Sequence, residues 1–308
     1  MILVICPNPS VDTLMEVGKF APATVNRAQS EEHYPGGKGV HVALAAAEYG
    51  EKVCLLGFWG GPTGTWIKQQ CTLQGIECIG PFLEQWNRFC ITISQDGPFN
   101  ETELLGTGPA LEQGHLDKCY ATFESKLEEA SIVVLSGSLP PKCPVDFYKN
   151  LIHRAHAYDK KCLIDTTGEA LKQALEAKPM GIHLNEHESQ QVTGTSDIGQ
   201  IMERLSEHTN LQIITQGAKG LFLGTSGDIF HAKVKLNQVL TTVGSGDCLV
   251  AGIALAICKG YDYPDIVKLG VAFGAANCLR KELGMLYKKD IDLLLPQIRV
   301  NKPAANYD

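Results

Sequence analysis

Late in the chain, Thr241-Thr-Val-Gly-Ser-Gly-Asp247 runs into the apolar stretch Cys248-Leu-Val-Ala-Gly-Ile-Ala. Gly244, Ser245 and Gly246 can aim successive N–H groups at a negatively charged oxygen where a helix begins. Asp247 then stands in the first turn beside that nest. A carboxylate there can cap the helix. It can also take a proton from a hydroxyl about to attack phosphorus. Leu249 stands where a dinucleotide fingerprint needs its third glycine, which argues against a dinucleotide site.

A second glycine cluster, Tyr34-Pro-Gly-Gly-Lys-Gly-Val-His41, leads into Val42-Ala-Leu-Ala-Ala-Ala. Gly36, Gly37 and Gly39 let backbone approach a ligand, the following helix start favours an anion, and Lys38 adds a full positive charge. No Gly-Lys-Ser/Thr follows a four-residue spacer, so this is not a Walker A loop. Asn185-Glu-His-Glu188 carries an amide and a carboxylate that can organise hydrated Mg²⁺ near phosphates, or simply cap a helix. His183 and His187 straddle a strand–helix junction, which makes a zinc site improbable. Thr215-Gln-Gly-Ala-Lys-Gly220 and Ser136-Gly-Ser-Leu-Pro-Pro141 are further turns that can cradle a nucleotide or merely reverse the chain.

These motifs need a frame. Short apolar runs at 2–6, 53–58, 132–136, 162–165, 181–184 and 211–215 read as strands. Helical patterns fill 39–49, 63–73, 112–129, 145–158, 198–208, 246–258 and 263–279. The alternation predicts an α/β fold with a doubly wound, mostly parallel sheet covered by helices on both faces. Four of the motifs follow predicted strands, and in open α/β sheets ligands gather at the carboxyl ends of strands. Two regions break the pattern: strands at 14–17 and 25–29, and at 88–94 and 101–105, have no helix between them. They read as a small β-layer, either surface hairpins or a lid that excludes water. One domain over 1–308 is expected, with lid segments near 12–30 and 86–107.

Composition narrows the classes. Lys and Arg total 27 against 34 Asp and Glu, a net charge of −7, so nucleic acid is not the expected partner. The longest strongly apolar run, 248–258, is too short to span a membrane. The N-terminal run lacks the basic region of a signal peptide. Eleven cysteines, an odd number with no Cys-x-x-Cys, suggest buried thiols in a cytoplasmic protein.

Taken together, the motifs resemble the PfkB (ribokinase-like) carbohydrate kinase family over nearly the whole chain. Gly36-Gly-Lys-Gly39 and Val243-Gly-Ser-Gly-Asp247 look like its two signatures, and Asn185-x-x-Glu188 is similar to its metal motif. Asn8-Pro-Ser-Val-Asp12, Val25-Asn-Arg27, Gly57-Phe-Trp-Gly-Gly61, Ser136-Gly-Ser-Leu-Pro140, Asp165-Thr-Thr-Gly-Glu-Ala-Leu171 and Gly217-Ala-Lys-Gly220 resemble its phosphosugar branch, the 1-phosphofructokinases and tagatose-6-phosphate kinases. The resemblance implies ATP as co-substrate, with Mg²⁺ organised indirectly by Asn185 and Glu188. It makes Asp247 the general base and Gly244, Ser245 and Gly246 the anion hole. Thr215, Gly217, Ala218 and Gly220 would border ATP, with Asn277 near the adenine and Asn185, Gly244 and Gly246 toward its phosphates. Asp12, Gly36, Gly37, His41 and Ser138 would face the sugar, and Lys38, Arg88 and Arg27 would grip the phosphate it already carries. Two dianionic substrates sharing a cleft on an acidic protein require such local cations.

Two positions depart from the family. His41 stands where Asn is usual, and His183-Leu184-Asn185 where Lys-Pro-Asn is usual. His41 is longer and able to carry charge, so it either marks a different ketose phosphate or is a tolerated replacement. The expected reaction is ATP-dependent phosphorylation of a ketohexose phosphate, most simply fructose 1-phosphate to fructose 1,6-bisphosphate. The rivals are a tagatose-6-phosphate kinase, a neutral-sugar or nucleoside kinase, and a non-catalytic sugar-phosphate sensor. A homodimer paired through the lid strands is also expected.

Overall fold

The computed structural model describes residues 1–95 and 101–302, so 96–100 of the second expected lid segment lie outside the described residues. Among these, ten strands form one large sheet. From one edge to the other they are Arg299–Asn301, Ile229–Lys233, Leu221–Gly224, Leu211–Thr215, Gly181–Asn185, Cys162–Asp165, Ile132–Ser136, Ile2–Cys6, Val53–Gly57 and Glu77–Ile79. The run from Leu211–Thr215 to Glu77–Ile79 is parallel throughout. The three strands beyond it pair antiparallel. A mostly parallel, doubly wound sheet is therefore what the alternation of runs produces.

The central strand shows why. Ile2, Leu3, Val4 and Ile5 are all shielded from solvent, but successive side chains serve opposite faces. Ile2 and Val4 pack with Val42 and Ala46 of the helix Lys38–Glu48 and with the helices Ser245–Cys258 and Tyr263–Cys278. Leu3 and Ile5 pack with Leu116 and Phe123 of Gln113–Leu127, and with Leu151 of Phe147–His156. Burying each such side chain contributes about 1.5–3 kcal/mol, and truncating one to Ala costs roughly 2–5 kcal/mol.

A separate four-stranded sheet runs Ser30–Gly36, Ser10–Glu16, Arg88–Ser94, Glu101–Leu105. Its middle pair is parallel and its outer pairs are antiparallel. The segment expected as a strand at 25–29 is not one; the strand is Ser30–Gly36, paired along Ser10–Glu16. Its sequence, SEEHYPG, carries no apolar alternation because it is a largely exposed edge, and Pro35 is tolerated there. The edge strands Glu77–Ile79 and Arg299–Asn301 are three residues each, too short for a period to register.

Candidate active site

Five strand ends of the large sheet, together with the inner side of the small one, border a cleft of about 1620 Å³. Into it come Asp12, Gly37, Lys38, His41, Arg88, Ser138, Asn185, Glu188, Thr215, Gly217, Ala218, Gly220, Gly244, Ser245, Gly246 and Asp247. Three predicted residues do not line it. Gly36 lies behind Asp12, whose carboxyl carbon would sit 2.0 Å from any Cβ at that position. Its glycine therefore makes room for Asp12 instead of approaching a ligand. Arg27 is exposed on the loop before Ser30–Gly36. Asn277 is fully buried on the helix Tyr263–Cys278, where its Nδ2 donates to Met285 O at 2.8 Å. It braces the 283–286 turn, while Ala275 and Cys278 of the same helix reach the cleft. Helical register separates these neighbours: residues two apart point to different sides.

The anion nest has its predicted shape. Gly244 caps Ser245–Cys258 with φ 82°, a left-handed conformation that suits glycine, and no side chain caps this helix. The Ser245 N–H turns back to Thr242 O at 3.2 Å. The first-turn N–H groups of Gly246 and Asp247 have no acceptor one turn earlier in the helix, which is the property that draws anions to helix starts.

Asp247 is buried at this helix start, and its Oδ2 lies 2.8 Å from His41 Nδ1. His41 Nε2 in turn lies 3.2 Å from Asp12 Oδ2. That second approach is out of line, so Nε2 has proximity to a carboxylate but no hydrogen-bond partner. The Ser10 hydroxyl donates to Asp12 Oδ1 at 2.6 Å. Burial works against charge on the imidazole, but two carboxylates outweigh it and push His41 up to about 10. Burial likewise opposes charge on Asp12, yet the His41 contact holds its carboxyl below the usual range. For Asp247 burial prevails, and its carboxyl stays above the usual range despite His41.

A second cluster sits under the other end of the nest. Asp165, at the end of its strand and almost wholly buried, lies 3.0 Å from Lys38 Nζ and 3.3 Å from His183 Nδ1. It also accepts from Ser136 Oγ at 3.2 Å. His183 Nε2 meets Thr215 Oγ1 at 3.2 Å. Burial alone would raise Asp165; Lys38 and His183 reverse this and hold it well below the usual carboxylate range. Asp165 was legible only as part of a motif, and His183 only as a departure from the family. His183 borders the cleft, and Asp165 stands behind His183 and Lys38.

Lys38, which the resemblance puts on the phosphate borne by the sugar, lines the cleft with its ammonium 3.0 Å from Asp165 and 3.9 Å from Glu188. The first residue of a helix projects back past the strand ends, and here those ends are acidic. Arg88 does stand on the small-sheet side, donating to Asn8 O at 3.2 Å and Gly106 O at 3.1 Å.

Asn185 and Glu188 realise the capping alternative. Asn185 Oδ1 accepts from Glu188 N at 2.9 Å, and Glu188 Oε2 accepts from Asn185 N at 2.8 Å. This reciprocal cap leaves Glu188 Oε1 on the cleft side, toward Lys38. Among the described residues no group of three or more metal-ligating side chains gathers. The Glu188 Oε1 oxygen is a donor that suits an Mg²⁺ arriving with phosphates and needing one protein carboxylate.

The chain matches the model of the pfkB family of carbohydrate kinases over residues 8–289. It is 30% identical over 311 residues to the 1-phosphofructokinase of Bacillus subtilis, covering 98% of this chain and 100% of that one. It is 29% identical over 309 residues to a tagatose-6-phosphate kinase of Staphylococcus epidermidis, covering 97% and 99%. Among solved structures, a possible 1-phosphofructokinase from Thermotoga maritima superposes with a TM-score of 0.89 at 21% identity, covering 99% and 100% of the two chains. Phosphofructokinase-2 of Escherichia coli with substrates and products superposes with a TM-score of 0.88 at 22% identity, covering 96% and 98%. A phosphotransferase class, already indicated by the anion nest and its carboxylate, is thereby made specific. The chain belongs to the pfkB family of carbohydrate kinases, enzymes that phosphorylate a sugar hydroxyl. No helix among the described residues is long and apolar enough to cross a membrane.

Proposed function

We propose that the chain transfers the γ-phosphoryl group of ATP to a free hydroxyl of a ketohexose phosphate. Fructose 1-phosphate is the favoured acceptor and fructose 1,6-bisphosphate the product. The observation that carries this reading is the placement of Asp247. Its carboxylate heads an uncapped helix and faces one cleft, with Arg88 toward the small sheet and the 215–220 turn toward the other end. Asp247 takes the proton of the acceptor hydroxyl as it attacks phosphorus, and the first-turn N–H groups stabilise the equatorial oxygens. Asp12 orients the sugar hydroxyls, and Arg88 and Ser138 hold the sugar's own phosphate. Lys38, beside Asp165 and Glu188, serves the phosphoryl group in transfer. Thr215, Gly217, Ala218 and Gly220 border the nucleotide, with Val239 and Cys278 offering apolar surface to the base. Glu188 and Asn185 would hold Mg²⁺ through its water shell, and the ion would neutralise charge between the β- and γ-phosphates.

Tagatose 6-phosphate is the second reading, supported by the 29% identity to the Staphylococcus epidermidis enzyme. A homodimer is supported by Phe89 and Leu104, which are 45% and 54% exposed on the face of the small sheet away from the cleft. An ADP-release assay over fructose 1-phosphate, tagatose 6-phosphate, fructose 6-phosphate and free fructose tests the assignment. The highest kcat/KM is expected for fructose 1-phosphate. A preference for free fructose would overturn the phosphosugar reading, and saturable binding with no ADP release would make the protein a sensor.

A further inference from the structure

The His41 ring packs against two glycines from distant parts of the chain that also touch each other. A Cβ on Gly284 would stand 2.1 Å from His41 Cδ2, and one on Gly244 would stand 3.3 Å from Nδ1. Both glycines have positive φ, 66° and 82°. A side chain at Gly284 would overlap the ring and one at Gly244 would crowd its Nδ1, so the fold keeps both positions free of side chains beside this imidazole.

We propose that His41 is a positioning residue that joins the acceptor-holding Asp12 to the base Asp247 and decides which oxygen of Asp247 meets the substrate. The proposal rests on the kinase reading above. Nδ1 occupies Asp247 Oδ2 at 2.8 Å, so Oδ1 is the oxygen left to accept the hydroxyl proton. Nε2, buried and without a hydrogen-bond partner, points to the Asp12 side, 3.2 Å from Oδ2. Ser10 already engages Asp12 Oδ1. The result is a row, Ser10–Asp12–His41–Asp247, in which buried His41 Nε2 is the nitrogen without a hydrogen-bond partner. An amide at position 41 could bond one of these carboxylates but would bring no charge to share between them.

The charge of this row matters to catalysis because Asp247 must be ionised to act as a base. Burial favours its protonated form, and a neighbouring imidazolium opposes that. The other charged groups around His41 are few. Arg88 faces it from Arg88–Ser94, Glu101 and Glu103 from Glu101–Leu105, and Lys38 from the start of its own helix. Asp165 and Glu188 lie beyond Lys38. The 283–286 turn brings Leu-Gly-Met-Leu and so no charge. With His41 removed, Asp247 keeps its burial and loses its nearest cation. Its proton then leaves at higher pH.

The test is the pH profile of kcat/KM for His41→Asn and His41→Gln with the best sugar phosphate. The acidic limb is expected to move up by about one pH unit or more, with KM for ATP unchanged. A rise in sugar KM at every pH with the limb unmoved would make His41 a plain substrate contact and overturn the proposal. A uniform fall in kcat with a lowered melting temperature and an unmoved limb would make it structural and overturn it equally. A second measurement needs no turnover: ¹⁵N NMR of the wild-type imidazole. Both ring nitrogens are expected to be protonated at pH 8, and Asp247→Asn should lower the titration midpoint. A neutral ring at pH 8 would sink the proposal even if the variants do not fold. If no sugar phosphate is phosphorylated but the imidazolium is present, the kinase reading has failed and the linkage has not.

Discussion

The cleft has two ends, one proposed for the nucleotide and one for the acceptor sugar, and their buried polar groups are arranged in opposite ways. At the nucleotide end one buried carboxylate, Asp165, is held between two nitrogen bases, Lys38 and His183. At the acceptor end one nitrogen base, His41, is held between two carboxylates, Asp12 and Asp247. The nucleotide end is built from neighbouring strand ends of the large sheet, and its polar groups largely satisfy one another. The acceptor end draws on the small sheet, the first helix and a helix start late in the chain. It contains the one orphaned nitrogen in the row and a carboxyl, Asp247, whose proton affinity is raised by burial. An enzyme that binds two anions needs a finished electrostatic floor under the one common to all turnovers. It needs an incomplete row where the acceptor must be chosen and deprotonated.

The largest effect should come from the seam between the two ends. Asp247→Asn is expected to lower kcat by ~10²-fold or more while ATP binding, followed by calorimetry, persists. Turnover close to that of the wild type would take the base role from Asp247 and dissolve the comparison. Arg88→Ala comes next: KM for the sugar phosphate should rise by roughly 10- to 100-fold with KM for ATP little changed, the loss of one or two charge-assisted hydrogen bonds. Lys38→Met should show the reverse split. It should lower kcat at saturating substrates more than it alters sugar KM if its ammonium, beside Asp165, serves the phosphoryl group in transfer as proposed. An equal rise in both KM values would place Lys38 between the two ends and sharpen the boundary.

The smallest effect is in stability. His41 has a folded value of about 10 against a free value near 6.5. Its contribution is fully present below pH 6.5 and is lost as pH rises through about 10. Chemical denaturation of the wild type and His41→Asn should therefore converge as pH rises from 7 to 10. Asp165 carries the opposite sign: its stabilisation is present above the ordinary carboxylate range and is lost in strong acid. A gap between wild type and His41→Asn that widens with pH would show that the row is not held together by the imidazolium.

Local spacing made much of this site legible. Gly244–Asp247, the 215–220 turn and the strand ends could be read because each is a short segment whose glycines, polar residues and flanking apolar run lie together. Capping was legible at Asn185-x-x-Glu188 for the same reason, since both partners sit three residues apart. The partner of Lys38 was not legible, because Asp165 lies 127 residues away and the pairing depends on the start of the helix Lys38–Glu48 standing beside the end of the strand Cys162–Asp165. Asn277 was misplaced by helical register alone, a matter of which side of Tyr263–Cys278 faces the cleft. The strand Ser30–Gly36 was invisible because an exposed edge needs no apolar period.

By itself the sequence determined where backbone turns tightly, which runs must be buried, and which helix starts are bare enough to attract an anion. These follow from the conformational limits of a few adjacent residues and from water's exclusion of apolar side chains. Tertiary structure decided which charges oppose one another. His41 and Asp247 are 206 residues apart and meet where Gly244 and Gly284, both without side chains, pack beside the His41 ring. Coulombic pairing depends on distance and burial, and both are properties of the packed molecule, not of any segment of it.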